Sequence, residues 1–519
     1  MIVVYDKKDR KVVTSLAVNT ILGDVAISDL LVKMFPSTHG RLGCAEISYA
    51  LSNPVNCDVE LFDGMLCAVT RDGCDLYRLD PEELKRIAEE KRDEERGALV
   101  RALPFKRSTA LDGLLFRRFG EMHHTLSETK EALADNSWFK RRIDVVGWWG
   151  SFIDAGGYAN MNREIVQRLH NYNILPYISI YPTLFQMDPE TMKILKMYSH
   201  LKPKNHDHPY VYAFTPMPHE RHPGKRIFFT MMETSSLHPD FANYCNMYSD
   251  EIWVPSRANR QLFLSNGVTK PIRVIPLGID ELFYFPEESR KQDFPMGDCI
   301  GIFGRDPLEG IANFKFLTLI QWNMRKGYDA LIKAFINAFD DKDDVCLVIV
   351  TQYAEEIVSS TLWPFLPRRN NLPQVVLYNR IIPIATMPDI YRGCDAYVHM
   401  SRGEGFSLTQ IEAASQGLPV ISCFHSGMTE YLTPENSFPI ECLESEPCDP
   451  RLAQISYFYQ NQTLWKVGPQ QVDQAVDYMR FVHENYGEAQ KKAEILRERA
   501  RREYTWRRCT ERVAEALRA

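Results

Sequence analysis

Glu404 and Glu412 stand eight residues apart in the stretch Tyr397 to Ser422, which reads YVHMSRGEGFSLTQIEAASQGLPVIS. Around the first of them, Ser401-Arg402-Gly403-Glu404-Gly405-Phe406-Ser407 is punctuated by glycines, so the backbone there can approach a ligand closely. Two carboxylates at this spacing, one in a loop mouth and one about a turn into a following helix, can face one crevice. Carboxylates accept hydrogen bonds and repel phosphate, so their natural partners are hydroxyls. A second cluster, Gln321-Trp322-Asn323-Met324-Arg325-Lys326-Gly327, brings an Arg and a Lys side by side, a pair suited to neutralising a diphosphate as charge develops on it.

The elements that must position these groups are legible in the spacing. Asp395 to Met400 reads as a short buried strand preceded by a charge. From Leu408 to Gln416 the periodicity turns helical, with Ile411, Ala414 and Ser415 on one face and Gly417 where a helix would stop. Leu418-Pro419-Val420-Ile421 restarts a strand, completing a βαβ unit. The free NH groups at such a helix start favour an anion, typically phosphate. Hydroxyls flanking a diphosphate describe a nucleotide-sugar.

The run E-G-F-S-L-T-Q-I-E-A-A-S-Q-G-L-P-V-I closely resembles the E-x7-E signature of retaining glycosyltransferases with the GT-B fold, the large family-4 group that includes glycogen synthase-like and mannosyltransferase-like enzymes. The resemblance is strongest over 401–421, good over 249–285 and 316–336, and does not reach residues 1–138. It implies that Glu404 binds the donor sugar hydroxyls and Glu412 the ribose hydroxyls. It also implies that the NH groups of Gly405, Phe406, Ser407 and Leu408 meet the sugar and diphosphate. Lys326 and Arg325 are then the carried-over phosphate binders, and Gly156-Gly157 matches the loop that approaches donor phosphates and acceptor. The donor would be a nucleotide-sugar such as UDP-glucose or GDP-mannose, with no further cofactor and no metal.

Two departures from the family pattern stand out. The family often has Gly-Arg before the Trp, where this chain has Ile320-Gln321. Many members also place a His on the first domain near the reacting carbon, and none here matches it; Glu233, after the strand RIFFTMM, is the nearest candidate to accept a hydroxyl proton or bind the acceptor. Its competing reading is a strand-end carboxylate capping the next helix. By family analogy, transfer proceeds on the front face, the leaving diphosphate taking the acceptor proton. A noncatalytic binding or scaffold subunit of the same fold, and a phage-type enzyme that glycosylates DNA, are the alternatives.

At 519 residues the chain has room for two or three domains, each with its own core. Residues 1–80 are a run of short β-like stretches, a β-rich or α+β accessory module, and 81–138 a helical linker region opened by Asp80-Pro81. Strands alternating with helices over 139–288 and again over 289–470 predict two facing Rossmann-like, doubly wound domains, acceptor side first and donor side second. Residues 471–519 are expected to be C-terminal helices that pack back on the first domain.

A net charge of −7 carries no global signal for nucleic acid. The twelve cysteines include no CxxC pair, which suits reduced thiols rather than a disulfide framework or a zinc site. No apolar run is long enough to span a bilayer, and a cytoplasmic protein is the expectation. Asp341-Lys342-Asp343 reads as a solvated turn. His206-Asp207-His208 and His219-Glu220-Arg221-His222 fit a lid or acceptor loop better than a metal site. The basic tail around Trp506 is a solvated helix by default, with peripheral membrane or polyanion contact as the other reading. The acceptor stays open among glycan, lipid, protein and modified nucleic acid.

Overall fold

The computed structural model describes residues 144–154, 156–172, 174–181, 207–219, 222–284, 299–379, 382 and 387–519, together with four short strands nearer the start. The chain divides into two compact units, 1–154 with 169–209, and 155–168 with 210–519.

In the first unit, β1 (Ile2–Asp6) pairs antiparallel with β2 (Lys11–Leu16), and β3 (Val69–Thr70) with β4 (Gly73–Cys74). These strands fall where the sequence reads β-like; the rest of the accessory module, and the helix expected from Asp80, lie outside the described residues. β5 (Asp144–Gly150) and β6 (Ile174–Ile180) run parallel, in register from Asp144 with Ile174 to Gly150 with Ile180.

The second unit begins with α1 (Gly157–Arg168), whose Ala159, Met161, Ile165 and Val166 are buried. Four short parallel strands follow in the order β10-β9-β8-β7: β7 (Tyr210–Ala213), β8 (Arg226–Phe229), β9 (Glu251–Val254) and β10 (Ile272–Val274). α2 (Pro239–Tyr248) leads into β9. His238 caps it, its ring accepting from the Asp240 NH, with Pro239 at the first turn. α3 (Arg257–Ser265) is capped in turn by the Ser256 hydroxyl.

A seven-stranded sheet forms the rest of the core, in the order β11-β14-β13-β12-β15-β16-β17. Its strands are β11 (Ile300–Phe303), β12 (Phe314–Leu319), β13 (Val345–Val350), β14 (Gln374–Tyr378), β15 (Ala396–His399), β16 (Val420–Phe424) and β17 (Phe438–Glu441). All pairings are parallel except β11 with β14. Every residue of β13 is buried, as the unbroken apolar run VCLVIV requires of a strand covered on both faces.

The strand order explains where a ligand can sit. From β12 the chain builds outward through β13 and β14, then returns to lay β15 on the other side of β12. That reversal is a topological switch point, and the loops leaving the carboxyl ends of β12 and β15 diverge around a crevice. The helices between strands are α4 (Tyr328–Ala338), α5 (Glu355–Leu362), α6 (Met387–Arg392) and α7 (Leu408–Ser415). Three helices close the chain: α8 (Pro469–Glu484), α9 (Tyr486–Glu503) and α10 (Trp506–Arg518). α8 packs on α4, α9 on α7, and α10 on α1. Trp506 is buried, so the aromatic of the basic tail belongs to the core. Among the described residues, no helix is long and apolar enough to cross a membrane.

Candidate active site

After β12 the chain makes a single 3-10 turn, Met324–Lys326, which the Asn323 side chain caps by accepting from the Lys326 NH. Gly327 ends the turn in the left-handed region at φ +69°, and a Cβ there would lie 1.8 Å from the Met400 carbonyl oxygen. Glycine is required on both counts. Trp322 stacks on Tyr328 at 4.4 Å, seating the start of α4.

The loop after β15 is stapled to this turn. Arg402 forks onto Asp329, with Nη1–Oδ1 at 2.8 Å and Nη2–Oδ2 at 2.9 Å, and adds bonds to Glu446 and to the Met324 carbonyl. The Arg402 NH donates to the Arg325 carbonyl at 2.7 Å. Two loops about 80 residues apart in sequence are thereby held as one surface.

Glu404 projects into the middle of this surface. Its Oε1 accepts from Lys326 Nζ at 2.6 Å and lies 3.1 Å from His399 Nε2 and 3.6 Å from Arg325 Nη1. Burial alone would raise the Glu404 carboxyl, but the Lys326 ammonium, the His399 hydrogen bond and the Arg325 charge hold it well below the usual carboxylate range. Burial, with Arg325 beside it, pulls the Lys326 ammonium below its ordinary value. Arg325 is itself buried, and its Nη1 donates to the Gly403 carbonyl at 2.7 Å.

Glu233 reaches the same place from the carboxyl end of β8. Its Oε2 accepts from the Tyr459 hydroxyl at 3.0 Å, and its Oε1 lies 3.8 Å from Arg325 Nη2. The two backbones touch here, since a Cβ on Gly403 would sit 1.8 Å from the Glu233 carbonyl oxygen. Because His238 caps α2, the helix-capping reading of Glu233 falls away.

At the far end of the loop, Ser407 holds φ +70° and makes no side-chain cap bond to α7. Its buried hydroxyl has no partner, and the first NH groups of α7 lack intrahelical acceptors. One turn on, Glu412 Oε2 accepts from the Tyr391 hydroxyl at 2.7 Å, and Tyr284 donates to the same carboxylate. Burial pushes the Glu412 carboxyl up to about 7, the two hydroxyls only partly offsetting it. Gly156 leads into α1, which opens at Gly157; the next residue, Tyr158, accepts at its hydroxyl from the Met231 NH at 2.9 Å, and the Met231 side chain lies against Gly405.

The structure thus gathers Glu233, Arg325, Lys326 and Glu404 into one contact cluster, with Glu412 at the other end of the Gly405–Leu408 segment. His399, Tyr459, Tyr284 and Tyr391 complete it and were not singled out as site residues by sequence. His399 reads there as one more residue of a buried strand. Tyr459 lies in SYFYQNQ, which has no motif character. Gln321, at the family's Arg position, is exposed. Asp341-Lys342-Asp343 is an exposed turn, closed by the Asp340 NH donating to Asp343 and the Lys342 NH donating to Asp340. His219 stacks on Tyr212 at 3.9 Å and His222 packs on Tyr210 at 4.7 Å, while His208 Nε2 bonds the Tyr177 hydroxyl at 2.8 Å. His206, Glu220 and Arg221 lie outside the described residues.

Residues 314–446 match the family model described as glycosyl transferases group 1. This segment is a group 1 glycosyltransferase domain. It holds both β12 and the β15–α7–β16 unit, and so Arg325, Lys326, Glu404 and Glu412. The mannosylfructose-phosphate synthase of Agrobacterium fabrum is 28% identical over 163 residues, 31% of this chain and 34% of that enzyme. The match therefore spans about a third of that relative's length. Among solved structures, HepE of Anabaena, crystallised with UDP and glucose, superposes with a TM-score of 0.51 at 14% identity, covering 72% of this chain and 99% of its own. Sucrose-phosphate synthase from Thermosynechococcus elongatus superposes at 0.50 with 13% identity, covering 72% and 98%. The fold is GT-B, as these structural neighbours establish.

Proposed function

We propose that this chain is a retaining, metal-independent glycosyltransferase of family-4 type, transferring a sugar from a nucleotide diphosphate donor to a hydroxyl acceptor. The observation that carries the reading is the convergence of Lys326 and Glu404 at 2.6 Å beside the open NH groups of α7. Donor phosphates take the α7 start and the Lys326 ammonium, which has three N–H donors and uses one on Glu404. Ionised Glu404 accepts from sugar hydroxyls and Glu412 from the ribose hydroxyls. The bond between the anomeric carbon and the diphosphate breaks as the acceptor oxygen bonds that carbon on the same face. The acceptor proton passes to the departing diphosphate, whose growing charge Lys326 neutralises. Glu233, held by Tyr459, orients the acceptor hydroxyl. Eight of the cysteines among the described residues are free thiols, in keeping with work in the reducing cytoplasm.

The test is a thermal-shift panel of UDP-, GDP-, ADP- and TDP-sugars with a chelator present, on wild type, Lys326→Ala and Glu412→Ala. A nucleotide that binds the native state raises the melting point by linkage. One stabilising donor, lost in both variants, together with a product of retained anomeric configuration, supports the proposal. Absence of any stabilising donor, or dependence of turnover on added divalent metal, refutes it.

A further inference from the structure

Cys423, His425 and Cys442 come together behind the glycine loop. Cys423 lies in β16, His425 just past its end, and Cys442 just past the end of β17. The two strands pair in parallel with Cys423 opposite Ile440. The two sulfurs and one ring nitrogen of His425 all lie within 4.8 Å of one another, and all three residues are buried. No other such group of three or more His, Cys, Asp or Glu ligand atoms occurs among the described residues.

We propose that these three residues form a structural binding site for a thiophilic cation of the zinc type. Two thiolates and an imidazole are the donor set that soft and borderline cations select over magnesium or calcium. Ligands about 2.0–2.3 Å from a zinc ion stand roughly 3.5 Å apart, so a shift on the order of 1 Å shared among three side chains closes the site. His425 Nε2 lies 2.8 Å from the Ser401 carbonyl, an acceptor, so Nε2 carries the hydrogen and Nδ1 keeps its lone pair. That lone pair now meets the Ser426 hydroxyl at 2.8 Å, and Trp465 stacks against the ring at 5.4 Å.

Binding releases two protons, one from each thiol, and two thiolates with a divalent cation leave no net charge in the core. Ser426 gives up His425 but keeps its second contact, 3.3 Å from the Glu404 NH. The metal thereby ties the ends of β16 and β17 to each other and, through His425 Nε2, to Ser401 at the start of the loop that carries Glu404. It braces the loop from behind and takes no part in transfer. Without metal, the Cys423 and Cys442 thiols hydrogen-bond each other.

Full-length protein, purified reduced and freed of metal, would be titrated with zinc and with cobalt. The expected result is one zinc equivalent, a thiolate-to-cobalt charge-transfer band, and a higher melting point with zinc but not with magnesium. Affinity should climb about 100-fold for each pH unit below the thiol pKa values, because two protons leave. Cys442→Ser should abolish the cobalt band; should that variant not fold, the wild-type band and pH slope still decide. Absence of the band with both thiols reduced, persistence of the band in a folded Cys442→Ser, or a Cys423–Cys442 disulfide in protein taken from cells would each overturn the proposal.

Discussion

Glu412 sits in a position that penalises the native state, and replacing it tests the electrostatics of the site directly. Burial moves its carboxyl from an ordinary 4.5 to about 7. At 1.36 kcal/mol for each pH unit, that is about 3 kcal/mol. The folded chain binds the extra proton between pH 4.5 and 7, so stability falls as pH rises through that window, and the full cost stands above about pH 7. In Glu412→Gln the titration disappears. One of the two tyrosine hydroxyls, on Tyr391 or Tyr284, loses its acceptor, which costs about 1 kcal/mol. The variant should therefore be about 2 kcal/mol more stable than wild type near pH 8 and about 1 kcal/mol less stable near pH 4, where Glu412 is mostly protonated in both states. Denaturant titrations of both proteins across this range read the crossover. Nucleotide affinity should move the other way, dropping at least tenfold at pH 8, because a neutral amide is a poorer acceptor for ribose hydroxyls. A stability difference that does not change with pH, or a variant less stable at pH 8, would refute the reasoning.

Three further substitutions probe the scaffold of the site. Gly403→Ala forces a Cβ to within 1.8 Å of the Glu233 carbonyl oxygen, so the loop must move; expect a loss of more than about 3 kcal/mol in denaturation or complete loss of donor binding. Arg402→Leu leaves the buried Asp329 without its bidentate partner, and should cost about 3–5 kcal/mol by the same measurement. Tyr459→Phe removes the hydrogen bond to Glu233. Turnover and acceptor KM should worsen about tenfold while donor binding in a thermal-shift assay stays unchanged.

Periodicity and local chemistry settled the elements of the domain over 314–446. The expected helix over Leu408 to Gln416 appears as Leu408–Ser415, and Gly417 ends it at φ +79°. These features are local: side-chain period, caps and glycine conformations act within a few residues. Glu404, Glu412, Lys326 and Arg325 were legible for the same reason, since each lies in a loop or helix start whose neighbours carry the pattern. Only tertiary structure decided who meets them. Placing β15 beside β12 brought His399 and Lys326 to one carboxylate, and the approach of Gly403 to Glu233 brought Tyr459 into the cluster. The β16–β17 pairing gathered Cys423, His425 and Cys442, whose separations of two and seventeen residues carry no ligand signature. Charge state followed from the same step: in sequence Glu404 and Glu412 are two equivalent glutamates. Burial with cations on one, and burial between tyrosine hydroxyls on the other, drives their proton affinities in opposite directions.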